Sequence, residues 1–407
     1  MIELLGKSKE ELRAFCAALG EPAYRGAQIY HALYAERKFD FARMMNLPAA
    51  LRERLVSEAW VTLPDVRQRF ASSDGSVRYL VGLKGTEERR INTEHPEEKN
   101  TEDAEKSGKS AREKIHPQQT PASVEAVFMP SEGRQTICIS TQAGCAVDCH
   151  FCLTAQLGLI RNLTAGEIVG QVLVALEEQP SKPTETEEIP AGLKPGTTQT
   201  RDPIQTNVVL MGQGEPLLNF EPVMAALRIL LDPEGMAISP KHVTLSTSGI
   251  VPGIERLALE KVRPKLAISL NASTDEQRNK LMPINKKYPL SVLMEACKNY
   301  PLRPWEHLTF EYVMLGDLND SVEDARLVVR LLAPLKRVKV NLIPWNPGEL
   351  PYRESAPERI EEFRRILLDK DVPAFVRYSR GRDVMAACGQ LALLDVSEQS
   401  GLVSIAT

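Results

Sequence analysis

The strongest constraint on the fold is an alternation of strand-like and helical patterns that runs from residue 124 to residue 368. Seven apolar runs have strand character, namely 124–129, 136–140, 207–211, 242–246, 265–270, 308–314 and 338–343. Helical patterns fall between or after the later runs, at 165–176, 222–230, 253–259, 291–297, 321–332 and 357–368. Alternating β and α units favour a parallel sheet with right-handed crossovers. Six such units predict an α/β fold, a partial (βα)6 barrel, rather than an open doubly wound sheet.

Three of the seven cysteines form one short motif, C-x3-C-x2-C, made by Cys145, Cys149 and Cys152. A structural zinc site or a self-contained iron–sulfur cluster takes four protein ligands. A [4Fe–4S] cluster held by three thiolates keeps one iron open to an exogenous ligand. The motif therefore predicts three metal ligands for one cluster per chain. The alternatives are a zinc site with a distant fourth ligand and cysteines that only pack.

Polar clusters follow the predicted strands, where barrel enzymes carry their chemistry. They are the cysteine loop and residues 212–216, 246–249, 269–271 and 345–347. We expect them to meet at one rim of the barrel.

The whole chain is expected to divide into four parts. Residues 1–62 predict a small helical domain, because a capping-box pattern at 8–11 precedes apolar residues at helical spacing. Its interleaved Tyr24, Arg25, Tyr30 and Tyr34 indicate either an RNA-binding surface or the charged face of a helical bundle. Residues 63–130 predict a β-hairpin extension that turns at 73–76. Residues 131–376 form the barrel, and 377–407 form a C-terminal segment.

Two stretches interrupt these parts. Residues from about 86 to 120 hold almost no large apolar side chain, and residues from about 178 to 205 are rich in Pro, Thr and Glu. Both predict flexible insertions, since neither can bury enough surface to offset its ordering entropy. The second insertion lies between a helix and the next strand, which places it on the rim opposite the polar clusters.

Charge and hydropathy exclude few classes of partner or cellular location. The net charge of −4 neither supports nor excludes an RNA partner, because the acidic excess lies in the two insertions. The charged N-terminus, the absence of long apolar runs and the odd cysteine count favour a cytoplasmic protein with no membrane association.

The cysteine motif resembles the signature of the radical S-adenosylmethionine (AdoMet) enzymes, whose open iron binds AdoMet. Further motifs are similar to the bacterial dual-specificity family that methylates C2 of an adenine in 23S ribosomal RNA and in transfer RNAs. They are M-G-Q-G-E-P-L-L-N at 211–219, L-S-T-S-G at 245–249, M-P-I-N-K at 282–286, N-L-I-P-W-N-P at 341–347 and A-A-C-G-Q-L at 386–391. The likeness covers nearly the whole chain except the two insertions.

This resemblance implies a ping-pong mechanism. Cys388 would carry the methyl group as S-methylcysteine, a 5′-deoxyadenosyl radical would activate it, and a covalent protein–RNA intermediate would form. Cys138 would resolve that intermediate through a transient disulfide with Cys388, and Glu125 would accept the adenine C2 proton. The alternative for each of these two cysteines is that it is a buried structural residue that only packs against its neighbours. The alternative for Glu125 is a solvent-facing position on an alternating strand. Cys16 and Cys297, outside any motif, are expected to be structural.

The resemblance also implies cofactor contacts and partners. AdoMet, used twice per turnover, would meet residues at the strand ends, namely Gly214, Glu215, Ser246, Ser269, Leu270, Asn271 and Asn346. Asn271 is expected to act through its backbone more than through its side chain. Arg377, Arg380 and Arg382 are either phosphate contacts or surface charges. The expected partners are 23S rRNA, tRNA and an electron donor such as flavodoxin, and the chain is expected to be a monomer.

Two other functions stay open at this point. The related antibiotic-resistance enzyme, which methylates C8 of the same adenine, shares every catalytic motif. A non-catalytic ribosome-binding factor would be expected to lose a motif cysteine or Cys388, and none is lost.

Overall fold

The computed structural model describes residues 1–83, 123–178, 204–348, 350–387 and 389–391. The first predicted insertion, residues 179–203 of the second, and Cys388 lie outside the described residues. In the described part, no helix is both long and apolar enough to cross a membrane.

The N-terminal unit is helical, as predicted. It consists of β1 (Ile2–Glu3), α1 (Lys9–Ala18), α2 (Tyr24–Tyr34), α3 (Ala49–Glu58) and β2 (Ala59–Trp60). The predicted capping box is confirmed, since Ser8 and Glu11 exchange side-chain and backbone hydrogen bonds at the start of α1. Tyr30 and Tyr34 are buried and pack edge to face with ring centroids 4.8 Å apart, so these two aromatic residues are core rather than RNA-facing surface.

The predicted hairpin is present, and it extends the main sheet. Its strands are β3 (Asp65–Ala71) and β4 (Val77–Gly82), and β4 pairs antiparallel with β5 (Ser123–Ser131). β5 in turn pairs antiparallel with β6 (Arg134–Cys138), the first strand of the barrel. The hairpin therefore widens the barrel sheet at one edge.

Among the described residues, the barrel contains seven parallel strands joined by helical crossovers. After β6 come the ribbon strand β7 (Gln142–Gly144), α4 (Leu153–Gln156), the ribbon strand β8 (Leu159–Asn162) and α5 (Ala165–Glu177). The repeating units follow as β9 (Gln205–Leu210), α6 (Phe220–Leu231), β10 (Val243–Thr247), α7 (Val251–Leu259), β11 (Lys265–Ser269), α8 (Asp275–Leu281), α9 (Leu290–Asn299), β12 (Leu308–Met314), α10 (Val322–Leu332), β13 (Val338–Pro344), α11 (Pro357–Leu368) and β14 (Ala374–Val376). The order in the ten-stranded sheet is β14-β13-β12-β11-β10-β9-β6-β5-β4-β3.

This topology confirms the predicted partial barrel and places its functional rim. The strands from β6 and β9 to β14 all pair parallel, so their carboxyl ends lie at one rim. The described ends of the second insertion lie at the end of α5 and the start of β9, on the opposite rim. One hydrophobic core runs from Leu4 in the N-terminal unit to Leu367 in α11, so the helical unit shares its core with the barrel.

Candidate functional site: a cysteine loop at the carboxyl rim of the barrel

The cysteine loop is closed by a short antiparallel ribbon that the sequence did not reveal. Strands β7 and β8 pair on either side of it, and the backbone N–H of Cys145 donates to the carbonyl of Gly158 at 2.9 Å. Gly144 lies in the left-handed region with φ +70°, and a side chain there would overlap the backbone of Gly158. The ribbon thus holds both ends of the loop together.

All three motif thiols line one cavity of about 160 Å³ at the carboxyl rim. Burial raises the pKa of Cys145 to about 12 and raises the pKa of Cys152 above its ordinary value. Burial, together with the neighbouring thiols, also raises the pKa of Cys149. Three enclosed thiols whose ionised forms are disfavoured by burial suit a cationic partner that stabilises them as thiolates.

The donor set is chemically suited to an iron–sulfur cluster. Cys145, Cys149 and Cys152 line one cavity, and such clusters prefer soft thiolate ligands. The three cysteines are therefore suited to hold a cluster.

The glycine-rich loop after β9 forms one wall of this cavity. The backbone N–H of Glu215 donates to Gln142 Oε1 at 2.8 Å, and the Glu215 carboxylate accepts from the backbone N–H of Leu217 at 3.1 Å and of Ser248 at 2.7 Å. Burial raises the pKa of Glu215. The carboxylate of Glu215 therefore ties the loop after β9 to the loop after β10, while its neighbour Gly214 lines the cavity.

Replacing Gly214 by alanine is expected to disturb this wall. Gly214 has φ +99°, and an added Cβ would lie 2.6 Å from Gln142 Cβ and 2.7 Å from Gln142 N. Backbone strain of about 1–2 kcal/mol and overpacking of about 1–3 kcal/mol should lower the free energy of unfolding. Because the sequence resemblance predicts that Gly214 meets AdoMet, the variant is also expected to bind AdoMet more weakly. Urea unfolding and anaerobic equilibrium binding measure the two effects.

Gly133→Ala is the matched control for this variant. Gly133 also has a positive φ, +67°, but nothing lies within 4 Å of its would-be Cβ. It should show the backbone strain alone, with unchanged AdoMet binding. Equal losses in both variants would contradict the role of the close packing at Gly214.

The strand ends contribute a second wall that contains an acid the sequence analysis missed. Ser246 Oγ donates to Glu311 Oε2 at 2.7 Å and lies 3.4 Å from Ser269 Oγ. All three residues line the cavity, and burial raises the pKa of Glu311. The available signal was the acid itself, placed inside the apolar run 308–314.

Two of the remaining candidate cofactor contacts, Asn271 and Asn346, differ in what their side chains bind. Asn271 lies in the left-handed region with φ +57°, and its side chain bonds the backbone N–H of Val313 at 2.9 Å and Met282 Sδ at 3.3 Å. That side chain is therefore committed within the protein. Asn346 lines the cavity and donates to Ser379 Oγ at 2.9 Å.

Leu270 is not brought to the cavity. Its side chain is fully buried in the core, its backbone N–H donates to the carbonyl of Glu311, and its own carbonyl accepts from Arg278 Nε. The structure therefore leaves Leu270 without an exposed group for a cofactor.

Glu125 lies inside the protein, so its solvent-facing alternative is wrong. Its side chain is 1% exposed, pairs with Arg78 Nη1 on β4 and accepts from Gln213 Nε2 at 3.1 Å. The contacts of Arg78 and Gln213 with Glu125 were not recognised from the sequence, because they depend on tertiary packing between distant segments.

Cys138 shares a face of the sheet with Glu125, since it pairs with Val127 on β5. Its side chain is buried in a small cluster with Val127, Ala386 and Leu391. Ala386 and Leu391 flank position 388, and Cys388 itself lies outside the described residues.

The C-terminal segment also docks on the cysteine loop. The backbone N–H of Leu153 donates to the carbonyl of Gly389 at 2.8 Å, and Thr154 Oγ1 donates to the carbonyl of Leu391 at 2.5 Å. Gly389 lines the cavity with the three thiols. The residues around position 388 therefore bridge the cysteine loop and the strand of Cys138.

The three C-terminal arginines all make contacts within the protein. Arg377 donates to Asn341 Oδ1 at 3.1 Å, Arg380 donates to backbone carbonyls of Asp74 and Pro130, and Arg382 pairs with Glu354 at 3.3 Å. These contacts fasten the C-terminal segment to the sheet edge and to the loop before α11.

Comparisons with known proteins agree with this geometry. Residues 2–61 match the ribosomal RNA large subunit methyltransferase N-terminal domain, and residues 196–328 match the radical SAM superfamily. The chain is 45% identical to a probable dual-specificity RNA methyltransferase RlmN of Koribacter versatilis, over 92% of this chain and 96% of the relative. It is 40% identical to the dual-specificity RNA methyltransferase RlmN of Paracoccus denitrificans, over 95% and 89%.

A solved structure extends the similarity to the fold. The crystal structure of a radical SAM methyltransferase from Sphaerobacter thermophilus superposes with a TM-score of 0.77 at 36% identity. The match covers 96% of this chain and 99% of that one.

Proposed function

Because this chain belongs to the RlmN family of dual-specificity RNA methyltransferases, and is thus a radical SAM RNA methyltransferase, we propose that it methylates C2 of an adenine in 23S rRNA and in tRNA. The observation that carries the proposal is the docking of the C-terminal segment. Residues on both sides of position 388 contact the cysteine loop and the cluster around Cys138.

The residues have separate tasks in this proposal. Cys145, Cys149 and Cys152 would hold the [4Fe–4S] cluster, and the strand-end residues around Gly214, Ser246 and Asn346 would hold AdoMet. When bound, these groups supply the methyl and the one-electron chemistry that removes a hydrogen atom from it. Two AdoMet molecules are used per turnover, and a flavodoxin-type protein supplies the electron.

Cys388 carries the methyl group because adenine C2 is too electron-poor to attack an electrophilic methyl directly. After hydrogen-atom removal, the carrier's methylene radical would bond to C2, and Glu125 would accept the C2 proton from the adduct. The one electron that the adduct loses would go to the oxidised iron–sulfur group that Cys145, Cys149 and Cys152 would hold. The Cys138 thiolate then attacks the Cys388 sulfur and breaks its bond to the methylene. That carbon keeps the electron pair and takes a proton, which completes the methyl group and leaves a Cys138–Cys388 disulfide for reduction.

Nucleoside mass spectrometry tests the proposal in cells that lack the gene. Supplying the parental gene should produce 2-methyladenosine in both 23S rRNA and tRNA, whereas Cys388→Ala should produce none. Peptide mapping of the parental protein should find one extra methyl on Cys388. Detection of 8-methyladenosine would assign the reaction to C8, and an active Cys388→Ala protein would overturn the carrier.

A further inference from the structure

The strands beside the site contain an ion pair that is unusual because both of its charged side chains are buried. Arg78 on β4 and Glu125 on β5 are each 1% exposed, and Arg78 Nη1 donates to Glu125 Oε1. The guanidinium lies over the ring of Phe70, 4.2 Å from its centroid. A buried ion pair is weak evidence for stability, because the loss of hydration offsets the attraction. Its presence therefore needs another explanation.

The carboxylate of Glu125 is held by a different donor on each oxygen. Arg78 bonds Oε1, and Gln213 Nε2 bonds Oε2 at 3.1 Å. Ser140 Oγ supports this arrangement from behind, since it donates to the Glu125 carbonyl at 2.6 Å and accepts from the Gln213 backbone N–H at 2.9 Å. The carboxylate plane is therefore fixed by charge on one side and by the glycine-rich loop on the other.

The network also has unused hydrogen-bonding capacity. Among the residues that the structure describes, Arg78 Nε and Nη2 and Gln213 Oε1 are buried without a hydrogen-bond partner. Unsatisfied buried polar atoms are costly in a purely structural network. Two idle donors and one idle acceptor next to the carboxylate are consistent with a network built for a reaction.

We propose that Arg78 is a positioning residue that keeps Glu125 ionised and aimed for the removal of the adenine C2 proton. The inference rests on the proton-acceptor role of Glu125 proposed above. A carboxyl group buried without a cation favours its protonated form, which cannot accept a proton. Arg78 reverses that preference, because a guanidinium stays charged throughout the physiological pH range.

Several other groups lie on the elements packed around Glu125. On β6, Cys138 shares the same face, and the C-terminal segment contributes the apolar side chains of Ala386 and Leu391 there. The charges of Asp74, Asp383 and Arg380 gather at the hairpin turn and at Pro130, near the carboxyl end of β5. Arg78 is the cation that bonds directly to the Glu125 carboxylate.

The test follows the covalent protein–RNA adduct in single turnover. Holoenzyme with methylated Cys388 is mixed anaerobically with reductant, AdoMet and an RNA fragment, and the covalent band is quantified over time at several pH values. Arg78→Met should form the adduct but resolve it at least tenfold more slowly at pH 7. Its rate should recover as the pH rises, since ionisation of Glu125 then needs a higher pH.

Arg78→Lys keeps the charge and loses the planar fork, so its pH profile should stay near the parental one with a smaller loss of rate. Arg69→Met is the matched control on the same hairpin, because Arg69 is exposed and pairs with Glu178. It should leave both rate and profile unchanged. If Arg78→Met does not fold, Arg78→Gln takes its place, because glutamine removes the charge and keeps a hydrogen-bond donor. A parental rate and a parental pH profile in that variant would overturn the inference.

The variant Glu125→Gln distinguishes a failure of the inference about Arg78 from a failure of the proton-acceptor role of Glu125 on which it rests. If Glu125→Gln stalls at the adduct while Arg78→Met keeps the parental pH profile, Arg78 does not position the acid, although the proposed function stands. If Glu125→Gln releases methylated RNA at the parental rate, the proton-acceptor role and the role of Arg78 both fail.

Discussion

Cys149→Ala is expected to lose its iron and all RNA methylation together. Cys149 lines the cavity with Cys145 and Cys152, and three thiolates are the fewest that hold the cluster with one iron open. Two remaining thiols cannot enclose it. Iron and sulfide should fall from about four each per chain in the reconstituted parent to near zero in the variant. Colorimetric analysis and the visible absorption of the anaerobic protein measure this loss.

Cys16→Ala is the control for the cluster variant. Cys16 is fully buried in the N-terminal unit, far along the chain from the loop, and burial raises its pKa to about 11. Its replacement removes the same atoms but should keep the iron, with only the stability cost of a small cavity. Zinc without iron in the parental protein, or full iron in Cys149→Ala, would contradict the cluster assignment.

The barrel was predictable because its strands and helices are long and their patterns are local. The apolar run 308–314 became β12 with both ends correct, and the pattern 357–368 became α11 likewise. Buried parallel strands read as continuous apolar runs, and the helices between them keep a helical period. Two short strands were not predicted. β7 and β8 have three and four residues, and they exist because the two ends of the cysteine loop pair with each other.

Site residues were predictable where they directly follow a strand. They were not predictable where the contact is made by a residue from a distant segment of the chain. Ser246 and Asn346 were placed at the cavity by the rule that strand ends meet at one rim. Arg78 belongs to a hairpin that meets Glu125 only through sheet pairing across the first insertion. Leu270 does not line the cavity, because the side chain after β11 turns into the core.

Cys138→Ala is expected to stop with RNA attached to the protein. Once the methylene of Cys388 has bonded to C2, the two molecules separate only when a nucleophile attacks the Cys388 sulfur. Cys138 shares a buried cluster with Ala386 and Leu391, on either side of that position. Alanine has no thiol, so AdoMet cleavage and methylation of Cys388 should proceed while release fails.

The adduct should be visible in the variant purified from cells. We expect a band of higher mass on denaturing gels that disappears with ribonuclease and persists with reductant, because a thioether resists reduction whereas a disulfide does not. Cys297→Ala is the matched control, since Cys297 is also buried, its pKa is raised to about 12 by burial, and it lies outside every motif. It should release methylated RNA normally. Release at the parental rate by Cys138→Ala would instead show that another group resolves the adduct, and the mechanism proposed for the two cysteines would fail.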